Sequence, residues 1–258
     1  MTRFSLPERV SPERVLPEQA SPEQSTLLKV VVILVAAGSG MRLDAGMPKA
    51  FAPLCGEPLL AHALRGVFGC AEVEHVIIVA PASHVEQSRG VVGHTRLDGE
   101  HPRVDVVAGG VDRSASVQAG LGALHEDDRI VLVHDVARCL ARSDLFARVI
   151  HAVRAGHPAV VPGLPVTDTV KVVDAEGRVL ETLDRESLRG IQTPQGFLRE
   201  VLEHAHASGA SATDDAGLVE RNGGQVRVVA GDHRALKITS PFDLNVATAL
   251  LQDGSYAG

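Results

Sequence analysis

The strongest constraint on the fold is the run K-V-V-V-I-L-V-A-A at 29–37, which has no polar residue after Lys29 and none of the alternation of a half-solvated strand. Consecutive β-branched residues place apolar side chains on both faces, so this strand has to be covered on both sides, as in a parallel sheet. Shorter runs of the same kind recur at 75–80, 104–107, 130–133 and 159–161. Between them, 58–67, 83–92, 114–124 and 144–154 carry apolar residues three and four apart, the spacing of a helix with one buried face. Strand and helix therefore alternate, which predicts an α/β fold with a mostly parallel central sheet and helices on both faces.

The alternation breaks at 164–192. There V-K-V-V, a D-A-E-G-R turn and V-L-E-T-L read as a β-hairpin, an arm projecting from the domain. Beyond it the pattern predicts helices near 197–207 and 214–221, strands at 226–229 and 235–238, and a closing helix over 241–252. Ser240 is placed to cap that last helix, with Pro241 at its first position. Residues 1–28 differ in kind: a five-residue repeat sets Pro7, Pro12, Pro17 and Pro22 in register. Regular proline with little hydrophobicity supports neither a helix nor a core, so a disordered tail is expected ahead of one domain at 29–258.

The balance of 25 Lys+Arg against 32 Asp+Glu gives a net charge of −7, which leaves no global field for a nucleic-acid backbone. Aromatic residues amount to 3%, too few for base-stacking platforms. Cys55, Cys70 and Cys139 are odd in number and lack a C-x-x-C spacing, which argues against a disulfide framework or a structural zinc site. None of the twelve histidines has the i, i+4 pairing of a zinc helix, so structural roles are expected for all of them. No apolar run reaches the roughly 18 to 20 residues of a membrane span. A cytoplasmic protein with neither membrane nor nucleic-acid partner is the expectation.

The sharpest local signal is A-A-G-S-G-M-R at 36–42, directly after the first strand, with Pro48 and Lys49 following. Small residues at a strand's carboxyl end let backbone N–H groups approach a phosphate, and parallel sheets bind ligands at that edge. Leu43 stands where a dinucleotide fingerprint needs its third glycine, and no Gly-Lys-Ser/Thr is present, which disfavours NAD enzymes and P-loop NTPases. Asp135 ends the run V-L-V-H-D, at the edge where a carboxylate meets nucleotide phosphates and a divalent ion.

With these motifs stand G-G-V-D-R-S-A-S-V at 109–117, V-H-D-V-A-R at 133–138, P-V-T-D-T-V-K at 165–171, Q-T-P-Q-G-F at 192–197, T-D-D-A at 213–216 and K-I-T at 237–239. In this order they resemble the 2-C-methyl-D-erythritol 4-phosphate cytidylyltransferases of the non-mevalonate isoprenoid pathway, over about residues 30–252. The resemblance implies a Rossmann-like nucleotidyltransferase domain whose β-arm packs across a homodimer. It also implies a reaction joining CTP to methylerythritol phosphate with release of pyrophosphate, supported by Mg²⁺.

By resemblance, Arg42 and Lys49 hold the triphosphate and stabilise the transition state, while Arg185 and Lys237 hold the methylerythritol phosphate. Nucleotide binding falls to Ala36, Ala37, Gly38, Ser39, Gly40, Gly109, Gly110, Ser116, Asp135, Ala137 and Arg138, with Asp135 as metal ligand. Asp168, Thr169, Thr193 and Thr213 line the sugar-phosphate pocket. The chain departs from the family's common pattern at Ala50, Val136, Cys139 and Ala235, which bears on nucleotide contact and sugar choice; every cation is kept. A ribitol 5-phosphate cytidylyltransferase is the alternative, because the same nucleotide half can serve another sugar phosphate.

Overall fold

The computed structural model describes residues 28–38, 47–95, 102–209 and 212–253. The repeat at 1–27, the loop residues Ser39, Gly40 and Arg42, and the last five residues lie outside them. In chain order the elements are β1 (Lys29–Val35), the short pair β2 (Pro53–Leu54) and β3 (Glu57–Pro58), α1 (Leu59–Phe68), β4 (His75–Ala80), α2 (Val85–Thr95) and β5 (Arg103–Ala108). Next come α3 (Arg113–Leu121), β6 (Asp128–Asp135), α4 (Ser143–Arg154), β7 (Ala159–Pro165), and the hairpin strands β8 (Lys171–Val173) and β9 (Val179–Thr182). The chain continues through β10 (Arg189–Ile191), β11 (Gln195–Leu198), α5 (Arg199–Ala207), α6 (Asp215–Arg221), β12 (Arg227–Ala230) and α7 (Pro241–Gln252).

The central sheet runs β10-β7-β11-β6-β1-β4-β5, with β12 also on β7. β1 pairs in parallel with β4 on one side and β6 on the other, and β5 continues in parallel beyond β4. β11 is antiparallel to both β6 and β7, which makes those two strands parallel to each other. Val160 of β7 meets Gly196 of β11 and Arg227 of β12, so the latter two occupy opposite edges of β7. From β1 the chain builds outward to β4 and β5, then returns to add β6 on the far side. The order therefore reverses between β1 and β6, and at such a reversal the crossovers leave to opposite faces and open a crevice at the carboxyl edge.

β1 is buried as its sequence requires. Val30, Val32 and Leu34 pack with α1 and α4 on one face, and Val31 and Ile33 with α3, α5 and α6 on the other. The hairpin β8–β9 forms a separate two-stranded sheet. No helix among the described residues is long and apolar enough to cross a membrane. The closing helix has the expected cap: the Ser240 hydroxyl accepts from the Asp243 backbone N–H, and the Asp243 carboxylate accepts from that of Ser240.

Two local expectations are corrected. Residues 195–198 form β11 and not the first turn of a helix, because pairing Gln195 with Val133 and Phe197 with Ala159 closes the gap between β6 and β7. Non-local pairing overrides what a short apolar segment prefers alone. Residues 235–238 form no strand; a 3₁₀ turn, His233–Ala235, precedes an extended piece whose Ile238 N–H donates to the Ala137 carbonyl at 2.8 Å. This segment docks on the turn after β6, which brings Lys237 to the crevice.

Helix α1 reaches the segment after β6 through Gly66, where an added Cβ would lie 2.1 Å from the Ala141 carbonyl oxygen. Gly66→Ala is expected to destabilise the chain by up to about 2 kcal/mol net, since overpacking against backbone exceeds the roughly 1 kcal/mol of helix propensity that alanine adds. Urea unfolding checks this; an unchanged or raised midpoint would contradict it.

Candidate active site

At the reversal between β1 and β6 lies a cavity of about 440 Å³. Its floor is the carboxyl edge itself, where Val35 and Asp135 are register partners. Ala36, Ala37 and Gly38 form one wall, Gly110, Asp112, Arg113 and Ser116 another, and Asp135, Val136 and Ala137 a third; Lys49 and Lys237 stand at the mouth, and buried Ala50 completes the lining. Five separated stretches of sequence thus meet around one hollow.

Its electrostatics centre on Asp135. One carboxylate oxygen accepts from Lys237 Nζ at 2.7 Å and the other from Arg113 Nε at 3.2 Å. Burial alone would raise the Asp135 pKa, but Arg113 and Lys237 together outweigh it and hold the group at about 2. Arg113 also reaches Asp215 at 2.7 Å, and Asp215 is bonded to His206 Nε2 at 2.9 Å. A chain of ion pairs therefore runs Lys237–Asp135–Arg113–Asp215 from the mouth into the domain, ending on the His206 ring. Asp215 is ionised despite burial because His206 and Arg113 lower its pKa.

The mouth is held by backbone acceptors. Lys49 Nζ donates to the Ile238 carbonyl at 2.7 Å, so the two lysines flank one extended segment. Arg138 donates to the carbonyls of Ala235 at 2.7 Å and Ile191 at 3.1 Å, fastening that segment to β10. Its guanidinium thus acts on the protein's own backbone, away from the cavity. Ser116 is likewise committed: its hydroxyl donates to the Asp112 carbonyl and accepts from the Gly110 N–H. At Gly110 an added Cβ would sit 2.3 Å from Ala115 Cβ, so this glycine lets the loop close onto α3.

The other expected positions are dispersed. Thr193 is buried beneath the cavity, where its hydroxyl accepts from the Asp135 N–H at 3.1 Å and meets His134 Nδ1 at 2.9 Å. Asp168, Thr169 and Thr213 are exposed and do not line the cavity. Arg185 lies beyond the hairpin, exposed, and donates to the Thr167 carbonyl at 2.5 Å. Gly109 is tucked against Ala37 and Ser116 beside the wall.

Sequence reasoning missed that Asp215 belongs to this site. It attends to Thr213 in T-D-D-A, whereas Asp214 caps α6 and accepts from Gln195, and Asp215 grips Arg113. The usable signal was the second acid of a D-D pair beside a capping aspartate.

A mostly parallel α/β sheet whose reversal point opens on a cation-rimmed cleft of nucleotide size is the architecture of a nucleotidyltransferase. Residues 30–253 match the family model for 2-C-methyl-D-erythritol 4-phosphate cytidylyltransferase. The chain is 47% identical over 228 residues to the enzyme of that name from Rhodococcus jostii, covering 88% of this chain and 97% of that one. It is 50% identical over 228 residues to the bifunctional enzyme IspD/IspF of Clavibacter michiganensis, covering 88% of this chain but 55% of that enzyme. Among solved structures, the 4-diphosphocytidyl-2C-methyl-D-erythritol synthase of Anaerococcus prevotii superposes with TM-score 0.75 at 30% identity, covering 87% of this chain and 98% of that one. The Thermus thermophilus cytidylyltransferase gives 0.69 at 35% identity, covering 87% and 99%. The chain belongs to the 2-C-methyl-D-erythritol 4-phosphate cytidylyltransferase family.

Beneath Asp135, His134 is fully buried, stacked edge-on to Phe146 at 4.9 Å, and burial lowers its pKa to about 4. Its neutral form therefore stabilises the fold above the unfolded value near 6.5, and that stability is lost as pH falls from there towards 4. Acid titration of unfolding free energy is expected to show a loss of about 3 kcal/mol over this range that His134→Gln flattens. An equal slope in the variant would contradict the assignment.

Proposed function

We propose that this chain transfers the cytidylyl group of CTP to 2-C-methyl-D-erythritol 4-phosphate, releasing pyrophosphate. The single observation that carries this is the convergence of Lys49, Lys237 and Asp135 on one cavity at the β1/β6 reversal, in a chain of this family. None of the relatives named above carries ribitol phosphate in its name, and no feature of the cavity favours that alternative.

The reaction needs no nucleophile from the protein. A phosphate oxygen of the acceptor attacks the α-phosphorus of CTP, a P–O bond forms, and the bond to the bridging oxygen breaks with the electron pair leaving on pyrophosphate. The attacking oxygen is already anionic, so the barrier is repulsion between polyanions, and in-line positioning by fixed cations lowers it. Lys49, with Arg42 from the family motif, holds the triphosphate. Lys237 gives up Asp135 for the acceptor phosphate, while Arg113 keeps the carboxylate in place.

The donor set fits Mg²⁺, which at nucleotide sites takes one or two carboxylates and completes its shell with phosphate oxygens and water. Asp135, ionised and lining the cavity, would hold it together with the triphosphate. When bound, the ion supplies neutralisation of phosphate charge. Cytosine selection is assigned to the small-residue walls at Ala36, Ala37, Gly38, Gly109 and Gly110, and a cytoplasmic setting suits three free cysteines of which two are buried.

A homodimer through the arm is part of the proposal. Val173, Val179 and Leu180 on the hairpin are each more than half exposed, an apolar surface that a two-stranded sheet cannot cover alone. In that assembly Arg185 completes the neighbouring subunit's site.

With CTP, Mg²⁺ and methylerythritol phosphate, stoichiometric pyrophosphate release is expected; no release beside a working control overturns the reading. Lys49→Ala is expected to lower kcat by roughly 10²–10³-fold, the typical loss of one preorganised donor, a far larger effect than its change in melting temperature. A fall of less than threefold at saturating CTP would remove it from the catalytic set. Mixing Arg185→Ala with Lys49→Ala chains is expected to restore roughly a quarter of wild-type activity once exchange is complete, since half the dimers carry one intact site. Demonstrated exchange without recovery rejects the shared site.

A further inference from the structure

At the amino-terminal edge of the sheet, opposite the cavity, three chain segments bring together side chains that no motif pairs. His75 opens β4, Asp105 lies in β5, and His125 sits in the turn before β6. Asp105 Oδ2 is 3.0 Å from His75 Nε2 and 3.6 Å from His125 Nε2, and one ligand atom from each residue lies within 4.8 Å of the others. We propose that His75, Asp105 and His125 form a binding site for a borderline divalent cation of the Zn²⁺ class.

The distances suit such an ion. Ligands about 2.0–2.1 Å from a tetrahedral metal stand about 3.3 Å apart, which falls between the two separations to Asp105. The remaining adjustment falls on His125, whose side chain is 35% exposed, whereas that of His75 is 5% exposed. Two imidazoles and one carboxylate are donors that favour zinc and its neighbours over magnesium. The site opens on a surface hollow lined in part by Arg103, Asp105 and His125, so the fourth position is accessible to water.

The outer contacts supply the second, independent observation. His75 Nδ1 donates to Asp128 Oδ2 at 3.0 Å, and buried Asp128 is itself held by the His125 backbone N–H at 2.8 Å. A buried carboxylate behind an imidazole fixes the tautomer that turns the Nε2 lone pair toward a metal, the arrangement found behind metal-bound histidines. Asp128 is held ionised: burial opposes this, but bonds from His75 and from the His125 backbone outweigh it.

Arg103 contacts the cluster's side chains, with Nε 3.1 Å from Asp105 Oδ2 and a terminal nitrogen 3.2 Å from His125 Nδ1, while Arg199 donates to the His125 carbonyl at 2.6 Å and Arg89 lines the same hollow. The Arg103 side chain is 57% exposed, so it can swing into solvent as the metal takes the carboxylate. The bound ion would tie β4, β5 and the turn before β6 together.

The test titrates Zn²⁺ into chelator-treated full-length protein without nucleotide, read by calorimetry and by the melting temperature, with Co²⁺ as a spectroscopic probe. One saturable equivalent is expected, with a rise in melting temperature and the intense visible bands of four-coordinate Co²⁺. His125→Ala and Asp105→Asn are expected to weaken binding at least tenfold without altering the far-ultraviolet circular dichroism of the metal-free protein. Arg103→Gln is expected to bind at least as tightly as wild type. Absence of saturable binding, or equal affinity in His125→Ala and Asp105→Asn, overturns the proposal; if Asp105→Asn fails to fold, His125→Ala decides alone.

Discussion

The arrangement at the carboxyl edge depends on one ionised group, the Asp135 carboxylate, held at the end of a buried strand between Arg113 and Lys237. A carboxylate in that position is costly unless both oxygens are engaged, and losing one partner of a buried pair typically costs about 3–5 kcal/mol. The chain meets this demand by anchoring Arg113 on a second acid, Asp215, and Asp215 on His206. The network ties β6, α3, α5 and α6 to one point. Packing of α3 and α6 on the sheet and the placing of charge at the cavity are therefore the same problem.

This explains why polar side chains in and around the cavity are committed to their neighbours. Ser116 closes the loop before α3, Thr193 supports the backbone of Asp135, and Arg138 fastens the segment that carries Lys237. Each is spent on geometry, which is what a reaction between two polyanions needs. When no group has to gain or lose a proton, rate comes from cations already in position, and fixed positions come from satisfied neighbours. Lys237 differs in being partly exposed, its ammonium bound to the Asp135 carboxylate.

The two ends of the sheet use the same residue types differently. At the carboxyl edge carboxylates meet arginine and lysine, whose charge is permanent near neutrality. At the amino edge Asp105 and Asp128 meet His75 and His125, whose ring nitrogens can donate or accept. Parallel strands put all their first residues at one edge and all their last residues at the other, so one sheet presents two separate polar rims.

Much was legible in the sequence because it depended on local pattern: the all-apolar β1, the amphipathic helices, the Ser240 cap, and the small-residue loop after β1. The ordered motifs also carried the family, hence the reaction, and named Lys49, Asp135 and Lys237 before their meeting could be seen. Tertiary structure alone decided which polar residues face the cavity and which hold it together: Arg138 and Thr193 stand outside the lining as braces, while Ser116 lines it with its hydroxyl bonded to its own loop. It also decided that 195–198 is a strand, that Asp215 supports Arg113, and that His75 and His125, fifty residues apart, stand beside one carboxylate. The physical reason is range: burial periodicity, caps and turns are settled between residues a few positions apart. Hydrogen bonds and ion pairs between distant strands exist only once the sheet has chosen its order.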